Sequence, residues 1–248
     1  MRSVGRWAVP HAARTSNAAA THRLAPLPPI IFWAWERPER LDYIDIDKAG
    51  VAFLAKTISL RNDKAVARPR LQTLSVRPGT VLIAVARIEA DRFDLPSLSQ
   101  AQIQAAANEI TELAQLPNVT AVQIDFDARV SERAFYAELL TTVRKTLPSR
   151  TGLSITALAS WCQGDNWLDE LPVDEAVPML FRMGVDRAGI VSALASGEKF
   201  HSPLCGQSTG ISVDENVPYA PASERLYVFN PNSWSPGSIE KVMEKYQR

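Results

Sequence analysis

Two aspartates two residues apart, Asp125 and Asp127, close an alternating run, Thr120–Asp127, in which Val122, Ile124 and Phe126 are apolar and Gln123, Asp125 and Asp127 are polar. A period of two puts the two sets on opposite faces of a strand. Carboxylates so close repel each other, which lifts one pKa towards the range of a general acid. A second run, Val81–Glu89, sets Arg87 and Glu89 in phase with Val81, Ile83 and Val85. If these strands are neighbours, Glu89 joins the aspartates, and Arg87 is either a counterion of Asp125 or a contact for substrate. Asp127, Asp125 and Glu89 are therefore the candidate catalytic groups. Aromatic rings accompany them: Trp33, Trp35, Trp161, Trp167 and Trp234, with Trp7 alone near the N-terminus. An aromatic face beside carboxylates suits a sugar, which offers C–H surface for stacking and hydroxyls for hydrogen bonds. Candidate substrate-binding residues are Trp33, Trp35, Glu36, Arg87, Arg129, Ser160, Trp161, Trp167, Arg182 and Asn230, although the phase of Glu36 relative to Trp33 and Trp35 is unfavourable and that of Trp161 opposes Ser160.

The elements that must position these groups recur with a regular beat. Strand-like runs fall at residues 30–36, 51–57, 81–89, 120–127, 153–161, 176–182, 206–212 and 226–230. Helical spacing appears at 99–116 (Ile103, Ala107, Ile110, Leu113), at 131–147 (Phe135, Leu139, Val143, Leu147, with Ser131 as N-cap), and in shorter form at 188–195 and 238–246. Eight strands alternating with helices predict an α/β fold, a (β/α)8 TIM-like barrel. The short connection before Val51 and the Pro/Arg-rich stretch 61–79 point to irregular structure or reduced helices in its first half. A seven-stranded or open sheet is the structural alternative. At 248 residues the chain has the usual length of one such domain. Residues 1–28, which carry Arg2, Arg6, Arg14 and Arg23 with no acid before Glu36, read as a disordered or leader segment. Residues 29–248 read as a single barrel domain.

Several function classes are excluded. With 27 basic and 27 acidic residues there is no global field to draw nucleic acid. No apolar run is long enough for a transmembrane segment. There is no HExxH, no GxSxG and no glycine-rich phosphate loop. Cys162 and Cys205 form no CxxC pattern; one disulfide is open to them, with free thiols the expected state. His11 and His22 fall in the leader, which leaves His201 as a loop residue. No cofactor is expected. A carboxylate-only site for Mg²⁺ or Ca²⁺, built from Glu89, Asp125 and Asp127, is a minor alternative.

The blocks FWAWERPERL (32–41), GVAFLAKTI (50–58), AVQIDFDARVSERAFY (121–136), LSITALASWCQGDNWL (153–168) and LPVDEAVPMLFRMG (171–184) resemble a bacterial domain-of-unknown-function family related to the glycoside hydrolase barrels. The resemblance spans residues 30–231 and implies chiefly a fold. It is more distant to chitinase-like barrels, whose fourth strand ends in Asp-x-Asp-x-Glu. Asp125 and Asp127 match those aspartates, but Arg129 stands where the catalytic glutamate would be, so that mechanism is not carried over. The expected function is hydrolysis of a polysaccharide or oligosaccharide through strand-end carboxylates. The alternative is a catalytically inactive carbohydrate-binding or scaffold barrel. A glycan is the expected partner. Oligomeric state and compartment stay open: exported or periplasmic if a leader is missing, otherwise cytoplasmic.

Overall fold

The computed structural model describes residues 23–216 and 221–246. The first strands are β1 (Ile30–Ala34), β2 (Glu39–Leu41), β3 (Ala49–Arg61), β4 (Lys64–Pro69), β5 (Leu74–Val76), β6 (Leu82–Ala90) and, after a helix, β7 (Val119–Asp125). They are followed by β8 (Gly152–Leu158), β9 (Glu175–Met179), β10 (Ser208–Ser212) and β11 (Arg225–Phe229). β1, β3, β6, β7, β8, β9, β10 and β11 are parallel, each beside the next, and β11 returns to β1 through Ile30↔Leu226. The sheet is a closed eight-stranded barrel, so the open and seven-stranded alternatives fall away. All eight strand runs predicted from alternation correspond to barrel strands.

The helices are α1 (Gln100–Glu112), α2 (Arg133–Thr146), α3 (Ala159–Gly164), α4 (Arg187–Ala195) and α5 (Pro236–Tyr246). α1 starts where sequence alone places it, because Ser99 and Gln102 form a reciprocal cap: the Gln102 N–H donates to Ser99 Oγ and the Ser99 N–H to Gln102 Oε1. α2 starts two residues later than expected. Ser131 lies inside a 3-10 turn, Val130–Glu132, and does not cap the helix.

Between β1 and β6 the described chain has no helix. The stretch expected to be irregular is in part a hairpin: β4 folds back antiparallel on the outer half of β3, with Lys56↔Pro69 and Arg61↔Lys64 paired. β5 pairs with β2 in a small separate sheet. Along β4 the exposed Lys64, Val66 and Arg68 alternate with the half-buried Ala65 and Ala67, and Pro69 ends the run, a pattern that suits an edge strand.

Alternation then separates two cores. Ile31, Trp33, Ile83, Val85, Ala121, Val177 and Tyr227 fill the barrel interior. Val122, Ile124 and Phe126 point outward against Ile103, Ile110, Tyr136 and Leu139 of α1 and α2. Each such fully buried Leu or Ile contributes about 1.5–3 kcal/mol.

Two features correct the sequence reading. The N-terminal boundary lies earlier than residue 29: Leu24 is only 2% exposed and joins the interior core, and Arg23 forms an ion pair with Asp174 at 2.5 Å. An interior that opens at the amino ends of its strands needs a plug, and Leu24 and Leu27 supply one. The expected leader or disorder of residues 1–22, with Trp7, His11 and His22, lies outside the described residues. The second correction concerns the cysteines, which are not free thiols. Cys162 of α3 and Cys205, 43 residues apart in sequence, are joined in a disulfide with Cα atoms 5.9 Å apart.

Candidate active-site cleft

The interior is closed halfway up by a buried hydrogen-bond chain. Trp33 Nε1 donates to Gln123 Oε1 at 2.8 Å, and Gln123 Nε2 donates to Ser154 Oγ at 3.1 Å. Above this layer the inward faces lead to a cleft at the carboxyl ends of the strands, where barrel sites form. Trp35 continues the face of Trp33, Arg87 that of Val85, Asp125 that of Gln123, and Thr156 that of Ser154. Phe181 and Phe229 complete the wall from the far side.

The resulting cleft has two lobes. An aromatic lobe of about 380 Å³ is walled by Trp33, Trp35, Met179, Phe181, Arg182 and Phe229. A polar lobe of about 470 Å³ is walled by Glu89, Asp91, Arg92, Phe93, Arg129 and Glu132. Arg87, Asp125 and Asp127 line both and sit at the junction.

The electrostatics at the junction reflect its pairings. Thr156 Oγ1 donates to Asp125 Oδ1 at 2.7 Å. Arg87 pairs with Glu89 at 3.0 Å and lies 5.7 Å from the centre of the Trp35 ring; it forms no ion pair with Asp125. Burial pushes the Asp125 carboxyl above the ordinary aspartate range; the Thr156 hydrogen bond opposes this, and the Asp127 charge adds to it. Asp127 is also raised, again mainly by loss of solvation, with Arg87 pulling the other way. Asp127 remains open to the cleft, so solvent screening moderates its shift, whereas Asp125 sits deeper. Two aspartates without an ionic partner, both pushed towards the neutral form, hold a proton to higher pH than an ordinary aspartate and can deliver it to a bound group.

Of the candidate residues, Trp33, Trp35, Arg87, Glu89, Asp125, Asp127, Arg129 and Arg182 reach the cleft. Arg182 arrives by an unexpected route. β9 ends at Met179, and Arg182 takes φ of 52°, uncommon for a non-glycine residue; its N–H donates to Glu215 at 3.0 Å and its guanidinium lies 5.3 Å from the Phe229 ring centre.

Five candidates do not reach it. Glu36 turns outward and binds the hairpin connection, accepting from the Leu71 N–H at 3.2 Å and from Arg68 at 3.4 Å. β8 stops at Leu158 and the chain turns into α3, which carries Trp161 outside the barrel. There Trp161 packs on Trp167, ring centres 4.9 Å apart, with Arg133 over Trp167. Ser160 faces a separate recess of about 50 Å³ beside Phe181 and Arg182. Asn230 continues the outward phase of β11 and accepts from the Asn232 N–H at 3.0 Å. Trp234, also expected at the rim, packs edge-on to Phe32 on the outer face. Five tryptophans at one rim are thus reduced to two in the cleft. The carboxylate-only metal site is not formed either: among the described residues no three acidic, His or Cys side chains converge to hold an ion, and Glu89 is turned to Arg87.

Sequence reasoning missed Phe181, Phe229, Met179 and Phe93. The first three were legible, since Val177, Met179 and Phe181 alternate in phase and Phe229 lies two residues beyond the inward Tyr227. Phe93, on the loop after β6, had no periodic signal.

Residues 77–195 match the family model described as Domain of unknown function (DUF3142). The matched segment runs from before β6 to the end of α4 and carries Arg87, Glu89, Asp125, Asp127 and Arg129, in keeping with the resemblance read from the sequence blocks. No curated protein matches the chain. Among solved structures, the Bacillus cereus spore cortex-lytic enzyme SleL is similar at 16% identity, with a TM-score of 0.46, over 90% of this chain and 59% of that one. The present chain thus spans about three fifths of that protein's length. No helix among the described residues is long and apolar enough to cross a membrane.

Proposed function

We propose that the chain is a glycoside hydrolase-like barrel that cleaves a polysaccharide or oligosaccharide at the junction of the two lobes. The observation that carries this reading is the pair Asp125 and Asp127, without ionic partners, raised in pKa and flanked by Trp35 on the side where a sugar ring would lie. Asp127, the more accessible, protonates the glycosidic oxygen as the C–O bond breaks. Asp125 takes the second role, receiving the proton of the attacking water or stabilising the positive charge on the sugar. Glu89 is the weaker candidate for that role because Arg87 already holds it. Trp35 supplies stacking surface above the buried floor that Trp33 forms, and Arg87 and Arg182 orient polar substituents.

The test is release of reducing ends from a broad polysaccharide panel by wild type and Asp127→Asn. Removal of a general acid costs about 10²–10⁴-fold in turnover, so the variant should bind substrate and release almost nothing. Equal release by both proteins would sink the assignment of Asp127.

A second reading is a carbohydrate-binding barrel without activity. Arg129, in the place where chitinase-like barrels have their glutamate, favours it. It expects glycan affinity that depends on Trp35 and no bond cleavage at any pH.

A further inference from the structure

We infer that the polar lobe is a subsite for an anionic sugar, one bearing a carboxylate or sulfate, and that the aromatic lobe takes the neutral neighbour across the aspartate pair. This rests on the proposal that the cleft holds a glycan. The two lobes differ in chemistry although they share Arg87, Asp125 and Asp127. Beyond the junction, the acids of the polar lobe are already committed. Glu89 is paired with Arg87 at 3.0 Å. Asp91 accepts from the backbone N–H groups of Phe93 at 2.8 Å and Asp94 at 3.0 Å. Glu132 is buried and accepts from the Arg129 N–H at 2.7 Å.

The cations are not committed. Arg92 and Arg129 line the same lobe, are exposed, and among the described residues their guanidinium groups make neither an ion pair nor a hydrogen bond. A guanidinium presents a rigid fork of donors that matches a carboxylate or sulfate in a bidentate way. Phe93 stands at the mouth of this lobe, 97% exposed. The Asp91 turn fixes its backbone, which leaves the exposed ring within reach of a sugar bound by the arginines. On the other side of the junction, Phe181 and Phe229 stack at 5.5 Å, and the arginines lining that lobe are paired, Arg182 with Asp214 at 3.3 Å and Arg87 with Glu89 at 3.0 Å, which suits an uncharged ring. A ligand lying across both lobes therefore meets aromatic surface on one side of the aspartates and the unpartnered guanidinium groups of Arg92 and Arg129 on the other.

The test is binding in an Asp127→Asn background, which prevents turnover, to an array of neutral, carboxylated and sulfated glycans of matched length. Arg129→Gln and Arg92→Gln are compared within that same background. Anionic glycans should bind at least about tenfold more tightly than neutral ones, and each arginine variant should lose about tenfold for anionic glycans only. Affinity should fall as salt rises. The carboxylated and sulfated arms then say which anion is read. Thermal melts should be unchanged by either substitution, since both side chains are exposed. Preference for neutral glycans, indifference to both arginine variants, or no glycan binding would overturn the subsite. Reducing-end release from the bound glycans by the otherwise wild-type enzyme is scored separately. Anionic glycans bound but never cut would sink the hydrolase reading and leave this one; neutral glycans bound and cut would do the reverse.

Discussion

Asp125 shows how one residue couples stability to function. Its carboxyl is raised chiefly by burial, so between the ordinary aspartate pKa and its folded value the native state holds a proton that the unfolded chain has lost. Stability then falls as pH rises through that window, because the native state binds the greater number of protons. Asp125→Asn removes the charge and keeps a group able to accept from Thr156. The variant should melt at a higher temperature than wild type at pH 7, with the difference vanishing near pH 3; equal melting temperatures across this range would refute a raised pKa. Activity should show the opposite cost. The same raised pKa in Asp127 predicts a pH–rate profile that falls on its alkaline side as the acid loses its proton.

At the scale of elements, the segment after each strand decides where the strand's last residues go. β8 and β7 run side by side, yet Asp127 continues into the cleft whereas Trp161 is carried away by α3. The disulfide Cys162–Cys205 ties α3 to the segment before β10 and so closes a loop of 43 residues. Chain-entropy arguments give such a link up to about 4 kcal/mol. Cys162→Ser should therefore lower stability by about 2–4 kcal/mol in denaturant titrations of the oxidised protein. Wild type should show no reactive thiol before reduction. Free thiol in the oxidised protein, or a stability unchanged by Cys162→Ser, would contradict the pairing. The barrel strands and α1 were legible from residue types because their signals are local: period-two alternation, helical spacing, and a Ser–Gln cap. The β4 hairpin and the turn into α3 were not, because Lys64–Pro69 and Ala159–Gly164 take their form from the surfaces they pack against.

Across the whole molecule, the two ends of the barrel divide the work. The carboxyl end carries the cleft. The amino end is closed by Leu24 and Leu27, by Arg23 and Arg144 on Asp174, and by Arg225 on Glu175 at 2.8 Å. Gly152 shows how tight that closure is, since a Cβ there would lie 2.8 Å from Leu24 Cδ2. Leu24→Ala should cost about 2–5 kcal/mol in unfolding free energy while leaving the distant cleft chemistry intact. A neutral effect would mean that the plug is dispensable.

The sequence by itself determined which side chains share a strand face. Alternation is imposed by backbone geometry within a few residues, and so Gln123 could be grouped with Asp125 and Asp127, and Arg87 with Glu89, without coordinates. It also determined the parallel α/β architecture, through the beat of strands and helices. Only the tertiary structure decided which inward residues meet. Barrel closure sets Trp35, just past the first strand, beside Arg87 and Asp125, gives Arg87 to Glu89 rather than to Asp125, and leaves the Arg92 and Arg129 side chains without partners among the described residues. The first of these contacts joins residues tens of positions apart, and even the Arg87–Glu89 pair, two positions apart, is a choice among partners that only the assembled barrel offers. Their energies depend on strand register, on where each strand ends, and on the groups that shield each charge from water, none of which a local pattern of residue types contains.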